Sequence, residues 1–257
     1  MQDYDVSLEI GTDGWVCGWA LGMPGCFWHT PDEMTAQAQA MKAHMEFLEW
    51  LSSHGEAMML TDSAHMQVVE KQLIPKPLAG GSTGALFGPE RQSLGEDDMQ
   101  RALRWMDYSR MDLLSTLQEL PSRAWDWQPG GEDNSWNLHT HVRHLANVEL
   151  YYCLRLAPQF PGLEICALDD NPGALLAYLE SVRRIVNSFL RSLIDEQCTS
   201  VVLPVWQPGT WAEELWSARK VLRRFIYHER FHHRDISQWK YKALGSLNSN
   251  ANAIQNC

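Results

Sequence analysis

Four long segments between residues 96 and 243 repeat their apolar side chains at intervals of three and four positions, the spacing of one helix face. The clearest is the third, which Pro172 opens and whose apolar positions are Leu175, Leu179, Val182, Val186, Phe189 and Leu193. The predicted helices span about 96–119, 135–156, 172–193 and 211–243, and Asn134 or Ser135 caps the second. Four such helices most simply form an all-α four-helix bundle, which we place at 96–245 and follow with a flexible tail at 246–257.

The N-terminal segment, residues 1–72, instead predicts three short strands, a helix and a final strand. Residues 4–10 alternate apolar and polar side chains, which is typical of a half-buried strand, and 15–21, 26–29 and 65–70 supply the others. Thr30 is the predicted cap of the intervening helix. The predicted buried face of that helix is Met34, Ala38, Met41, Met45 and Leu48. Residues 73–95 are rich in Gly, Pro and Ser and predict a linker, so the fold class is α+β with two domains.

The charge is distributed unevenly. The whole chain has a net charge of −11, and the segment 1–70 contains eleven acidic side chains against Lys42 alone. An acidic surface repels phosphate backbones, so we expect no direct nucleic-acid binding, whereas a basic protein partner remains open. The apolar runs are too short for a membrane span, the N-terminus does not look like a signal peptide, and six scattered cysteines suit a reducing compartment. We therefore expect a cytoplasmic protein.

Six of the ten histidines lie in two clusters on predicted helices, and three of them form a candidate metal site. His228 and His232 are four residues apart, which places both imidazoles on one helix face. His144 lies on the apolar face of the second helix and is the best third ligand, with His141 in reserve. Zinc and nickel both suit imidazole, and the spacing does not choose between them. The alternative is that these are core histidines with hydrogen-bond partners. We expect His139 and His233 to be solvated.

Three imidazoles leave coordination positions open, as in catalytic rather than structural metal sites. Water or a thiolate can occupy these positions, which favours hydrolysis or transfer of a low-molecular-weight thiol. The nearby polar residues Glu229, Asp235 and Arg224 are candidates for orienting the metal ligands. The alternative for the two acids is surface solvation or an i, i+4 pair. The tandem pairs Arg183-Arg184 and Arg223-Arg224 are interpreted as solvated helix faces.

The N-terminal segment resembles HicB-like domains. The similarity lies in YDVSLEI followed by GWVCGWALGMPGCFWHTPDEMTAQAQAMKAHMEFLEWLSSHG, and covers roughly residues 1–72. That family places a P-G-C turn after a short strand pair, then a capped helix and a final strand. It includes antitoxins that sequester a basic ribonuclease, so the resemblance implies a protein-docking function. The simpler alternative is a small domain used for dimerisation or ligand contact.

The C-terminal region resembles the DinB/YfiT-like superfamily of metal-binding four-helix bundles. The similarity lies in RWMDYSRMDLLSTLQELP, SWNLHTHVRHLANVELYY and YHERFHHRDI, and covers roughly residues 96–243. Family members place a histidine in an "HL" context on helix two and an H-x-x-x-H pair on the last helix. The matching positions here are His144, His228 and His232. Many members follow the last histidine with R-G-Q-I, where this chain has His233-Arg234-Asp235-Ile236.

Two hypotheses for function follow. The first is a divalent-metal-dependent enzyme that acts on a small-molecule substrate, either a hydrolase or, as the DinB-like resemblance implies, a thiol-dependent S-transferase, with the N-terminal domain as an accessory. The second is a non-catalytic binding or regulatory protein whose N-terminal domain docks a protein partner. We expect a homodimer in either case.

Overall fold

The computed structural model describes the backbone of residues 2–57, 64–128, 136–157, 171–193, 195–203 and 214–254. The chain forms two compact units. The first comprises Met1–Trp105 and Leu193–Tyr227, and the second comprises Met106–Ser192 and His228–Cys257. Each unit therefore draws on two separate stretches of sequence. The expected domain limits at residues 72, 95 and 245 remain predictions.

A four-stranded sheet in the first unit has the strand order β3-β2-β1-β4. Its strands are β1 (Gln2–Ile10), β2 (Val16–Trp19), β3 (Phe27–Thr30) and β4 (Ala64–Leu73). β2 is antiparallel to both of its neighbours, whereas β4 runs parallel to β1. A parallel pair needs a crossover connection, and α1 (Glu33–Ser53) lies in the chain between β3 and β4. The predicted order of three strands, a helix and a strand is confirmed.

Small side chains of α1, rather than the predicted methionine face, pack against the sheet. Ala36 and Ala40 are buried, whereas Met34 is 81% exposed. The indole Nε1 of Trp28 donates a 2.8 Å hydrogen bond to the carbonyl oxygen of Ala36. Such a bond requires the strand and the helix to approach closely, which alanine permits and methionine does not. The predicted buried face is therefore wrong, although its last member, Leu48, is buried.

The N-terminus of α1 is capped by Asp32. One carboxylate oxygen of Asp32 accepts a 2.8 Å hydrogen bond from the backbone N–H of Thr35, and the other accepts a 2.7 Å bond from the Thr35 hydroxyl. The Thr30 hydroxyl instead donates to the backbone carbonyl of Asp32. The predicted cap at Thr30 is therefore wrong, because a carboxylate accepts two bonds and also suits the positive end of the helix dipole.

The predicted linker is packed within the first unit. Leu78 and Phe87 are almost completely buried. The carboxylate of Glu9 on β1 accepts a 2.8 Å hydrogen bond from the backbone N–H of Gly84. These buried side chains and the Glu9 carboxylate thus fix residues 73–95 in place. The segment is rich in Gly, Pro and Ser and shows neither helical nor strand periodicity.

The described residues contain five further α-helices: α2 (Glu96–Gln118), α3 (Leu138–Leu156), α4 (Pro172–Arg191), α5 (Asp195–Thr199) and α6 (Ala218–Ile254). α3 begins later than predicted, because the Asn137 side chain caps it by accepting a 2.9 Å bond from the Thr140 N–H. Both predicted caps, at 134 and 135, lie outside the described residues. α6 also begins later than the predicted residue 211, since Trp216 forms an isolated β-bridge with Val202.

The second unit is a helical bundle to which α2, α3, α4 and α6 all contribute. Its buried apolar side chains follow the predicted stripes and include Met106, Leu113, Leu117, Leu145, Leu175, Leu179, Val182, Val186, Phe189 and Ile236. The helical C-terminal region and the α+β fold class are therefore confirmed. None of the described helices is both long and apolar enough to span a membrane.

Candidate metal centre

Three histidines from two helices bring their ring nitrogens together in the second unit. His144 lies on α3, and His228 and His232 lie one turn apart on α6. The Nε2 atom of His228 is 3.0 Å from the Nε2 of His144 and 3.2 Å from the Nε2 of His232. One potential ligand atom from each residue lies within 4.8 Å of the other two. We call these three residues the histidine triad.

The local helix geometry explains this convergence. Side chains four residues apart share a face of an α-helix, so His228 and His232 both point to the same side of α6. Val142 and Leu145, close to His144 on α3, are buried, which places this segment of α3 against the bundle core. Two helices therefore suffice to present three nitrogens to one point.

Burial keeps at least two triad rings neutral at physiological pH. It lowers the pKa of His144 to about 4. Burial, together with the neighbouring His144 and His141 rings, lowers the pKa of His232 to about 3. A neutral imidazole retains a nitrogen lone pair, which is the form that ligates a metal.

The donor set suits a divalent cation. An Nε2–H of His228 can donate to only one neighbour, yet two other Nε2 atoms lie within 3.2 Å of it. Two ligands at zinc–nitrogen distances of 2.0–2.1 Å in tetrahedral geometry are about 3.3 Å apart. One cation bound by three lone pairs would satisfy all three nitrogens, and the two separations from the His228 Nε2 are already close to this value.

Aromatic rings surround the triad. Trp136, which is 39% exposed, stacks on His232 with an interplanar angle of 13° and approaches the His144 ring to 4.6 Å between centroids. His141 is buried, lies 5.1 Å from the His232 ring and meets Trp239 edge-on at 4.5 Å. His141, the predicted reserve ligand, is thus a wall of the site and is not part of the clustered nitrogens.

The three residues predicted to orient the metal ligands, Glu229, Asp235 and Arg224, lie in different surroundings. Burial raises the pKa of Asp235, and Arg234 partly offsets that effect. The Arg224 guanidinium lies in the first unit, 5.9 Å from the ring centroids of Trp216 and Tyr227.

Glu229, although adjacent to His228 in sequence, bonds to arginines. Its Oε2 accepts hydrogen bonds of 2.7 Å from Arg110 and 2.9 Å from Arg183. Burial would raise the pKa of Glu229, but the two guanidinium groups hold it below its ordinary value. Its described bonds therefore belong to a separate cluster.

The arginine pairs were predicted to lie on solvated helix faces, and for one member of each pair this is wrong. Arg183 is buried. Arg223, in the first unit, is likewise buried between Glu90 and the Trp19 ring.

The other two clustered histidines are not solvated, contrary to prediction. The Nε2 of His233 lies 2.9 Å from the Thr116 hydroxyl on α2. The Nε2 of His139 lies 3.2 Å from a carboxylate oxygen of Asp126, and its ring contacts Trp125. Each of these two rings is held by a polar partner on a neighbouring segment, which explains why it is not solvated. The spacing of histidines in the sequence does not reveal such partners.

Sequence reasoning missed Trp136, and it missed the arginine–glutamate cluster. Glu149 offered a usable signal, because it lies on α3 at the same helical phase as the buried Val142, Leu145 and Ala146. A charged residue at an apolar phase indicates a buried partner of opposite charge. Trp136 had no such signal, since it precedes the helix and follows no period.

Comparisons with known proteins match the helical region. A family model, described as the DinB superfamily, matches residues 106–236. Among solved structures, YfiT from Bacillus subtilis is similar; it is described as a probable metal-dependent hydrolase with an unusual four-helix bundle topology. It shares 18% sequence identity at a TM-score of 0.43, and the match covers 58% of this chain and 90% of YfiT. No curated protein matched the sequence.

Proposed function

The chain belongs to the DinB superfamily, and we propose that it is a metal-dependent enzyme that binds one divalent ion through His144, His228 and His232. The observation that carries the proposal is the approach of the His144 and His232 Nε2 atoms to within 3.2 Å of the His228 Nε2. Partly buried imidazoles from two helices, two of them with lowered pKa values, otherwise have little reason to point at one another. The reaction class is hydrolysis or thiol-dependent S-transfer on a small-molecule substrate.

The two reaction classes differ only in what completes the coordination. A divalent ion on three imidazoles lowers the pKa of a bound water, or holds a thiol as its thiolate. Burial keeps His144 and His232 neutral, and the helices α3 and α6 fix the directions of the three rings. The ring contacts of Trp136 and His141 with the triad leave less room for water around the ligands. Zinc and nickel remain the two candidates.

Metal analysis of the full-length protein, purified without a polyhistidine tag, tests the proposal. We expect close to one zinc or nickel ion per chain. His228→Ala should abolish binding, because two imidazoles from one site bind far more weakly than three. His139→Phe is the matched control, since its imidazole contacts Asp126 and Trp125 rather than the triad, and it should retain the metal.

The activity is tested with the metal-loaded protein on two substrate panels. One panel contains activated esters and amides, and the other pairs low-molecular-weight thiols with small electrophiles. Turnover that disappears in His228→Ala and persists in His139→Phe supports the enzyme. Wild-type protein that binds no zinc or nickel at micromolar free concentration contradicts the proposal at its first step.

A second candidate function concerns the first unit, for which we propose a HicB-like domain that docks a basic protein partner. The observation that favours it is β4, a ten-residue edge strand that pairs only with β1 in the described sheet. Alternate residues of β4 are exposed, and these include Val69 at 47% and Leu73 at 81%. Such an edge can accept another strand, and the acidic N-terminal segment 1–70 favours a basic occupant.

The competing occupant of β4 is a second copy of the chain, which would give the expected homodimer. Light scattering during size-exclusion chromatography of the wild type and of Val69→Lys distinguishes the two. A dimer that dissociates in the variant assigns the edge to self-association. A monomer that captures a small basic protein, and loses it in the variant, supports the docking function.

A further inference from the structure

The core of the bundle contains a buried cluster of four charged side chains, one from each of its four long helices. We call it the ion cluster, and its members are Arg110 on α2, Glu149 on α3, Arg183 on α4 and Glu229 on α6. Every member is more than nine-tenths buried, with side-chain exposures between 2% and 7%. Two positive and two negative charges balance one another.

Two arginines bridge the two carboxylates. The Nη2 of Arg110 donates 2.7 Å hydrogen bonds both to Oε1 of Glu149 and to Oε2 of Glu229. The Nη2 of Arg183 donates to the same two oxygens, at 2.9 Å for Glu229. Their Nη1 atoms donate to backbone carbonyls, Arg110 to Leu179 and Arg183 to Met106. Each guanidinium therefore ties the glutamate of α3 to the glutamate of α6.

These two helices are also the ones that carry the histidine triad. Glu229 directly follows His228, and Glu149 lies five residues beyond His144. The same helix pair is thus linked at neighbouring levels, once by the ion cluster and once by the converging imidazoles. The contacts that fix the axial position of α3 against α6 at the ion cluster therefore also fix it at the histidine triad.

Metal coordination needs this register to be tight. One residue along an α-helix corresponds to a rise of 1.5 Å, whereas metal–nitrogen distances must hold to about 0.2 Å. A slip of a single residue between α3 and α6 would remove His144 from the site. Apolar contacts are non-directional, whereas a slip here would leave a buried carboxylate or guanidinium without its partner.

Stability alone does not account for the ion cluster. Desolvation of buried ion pairs offsets most of their Coulombic gain, and apolar residues of similar volume are often equally or more stabilising. We propose that the ion cluster is a positioning device that sets the register of α3 against α6, so that His144 meets His228 and His232. The proposal rests on the metal site proposed above.

The first test replaces the whole ion cluster with apolar side chains, in the variant Arg110→Met, Glu149→Leu, Arg183→Met and Glu229→Leu. Positioning predicts a folded protein with a melting temperature equal to or above that of the wild type. It also predicts zinc affinity at least tenfold weaker in chelator competition, and a Co²⁺ absorption spectrum that has lost the intensity of the wild-type site. Wild-type zinc affinity and Co²⁺ spectrum in this variant would overturn the proposal.

A second pair of variants decides the matter if the fourfold variant does not fold. Glu149→Gln disturbs the ion cluster, and Val186→Ala on α4 removes buried apolar volume without touching a charge. At matched thermal destabilisation, only Glu149→Gln should weaken zinc binding, by threefold or more, and change the Co²⁺ spectrum. Equal zinc affinities in the two variants overturn the positioning function while leaving the metal site intact. A wild type that binds no metal overturns both proposals together.

Discussion

Histidine side chains in the helical region differ in what their ring nitrogens contact. Those of the triad contact one another, His233 contacts a threonine and His139 contacts an aspartate. The i, i+4 spacing on α6 was readable from the sequence, because helix periodicity fixes it. The partners of His139 and His233 were not readable, since they come from segments distant along the chain.

Proton binding to His144 and His232 gives the metal-free protein a specific pH dependence. The unfolded-state pKa of histidine is about 6.5, and burial lowers it to about 4 for His144 and about 3 for His232. As the pH falls below 6.5 the unfolded chain binds protons that the folded chain excludes. The free energy of unfolding is therefore greatest above this pH and falls as the pH is lowered toward 4, by up to about 1.4 kcal/mol per pH unit for each residue.

Urea unfolding in EDTA between about pH 7 and pH 5 measures this slope. His141, whose pKa burial also lowers to about 4, contributes in the same direction. His141→Phe should consequently have a shallower slope than the wild type. Equal slopes in the two proteins would mean that His141 is protonated in the folded state as readily as in the unfolded chain.

At the scale of single elements, α1 shows why periodicity can assign a helix and still misplace its face. Met34 and Ala38 begin one apolar stripe, and Ala36 and Ala40 begin another, displaced by two residues. Hydrophobicity favours the methionine stripe. In the first half of α1 the sheet selects the alanine stripe, because a close helix–strand approach there leaves no room for long side chains.

A substitution on the alanine face of α1 should therefore destabilise the protein more than one on the methionine face, which is the reverse of what the apolar pattern suggests. Ala40→Leu adds three carbons to a filled interface and should cost about 1–3 kcal/mol of unfolding free energy. Met34→Ala changes an exposed residue and should stay within about 0.5 kcal/mol. Chemical denaturation of both variants measures this. A larger loss of unfolding free energy in Met34→Ala than in Ala40→Leu would indicate that the methionine face is the buried one.

The start of α3 makes a second prediction at this scale. Asn137→Ala removes the side-chain oxygen that accepts the Thr140 N–H bond and should cost about 1 kcal/mol. Asn137→Ser retains a capping oxygen and is the matched control, with little expected loss. Equal losses in the two variants, measured by thermal unfolding, would show that the cap contributes through something other than this bond.

At the scale of the whole molecule, local sequence patterns predicted the fold class. They did not reveal which segments of the chain pack together into each of the two compact units. Apolar periodicity reports which face of a helix is buried, and it does so only over the few turns of that helix. Nothing in the pattern of residues 193–227 indicates that they group with residues 1–105. The pairing of the four side chains in the ion cluster was unreadable for the same reason, because they are distant in sequence, although the position of Glu149 signalled a buried partner.

Metal binding should stabilise the whole folded protein, because the triad exists only when α3 and α6 are packed. At a free zinc concentration one hundred times the dissociation constant, linkage adds about 2.7 kcal/mol to the free energy of unfolding. For a chain of this size, that corresponds to a rise in melting temperature of roughly 5–10 °C relative to EDTA. His228→Ala should show almost no rise, since one of its three ligands is missing. An equal rise in the variant would attribute the stabilisation to adventitious zinc on surface carboxylates, of which the acidic N-terminal segment 1–70 offers many, and would remove the thermodynamic support for a metal held in the bundle.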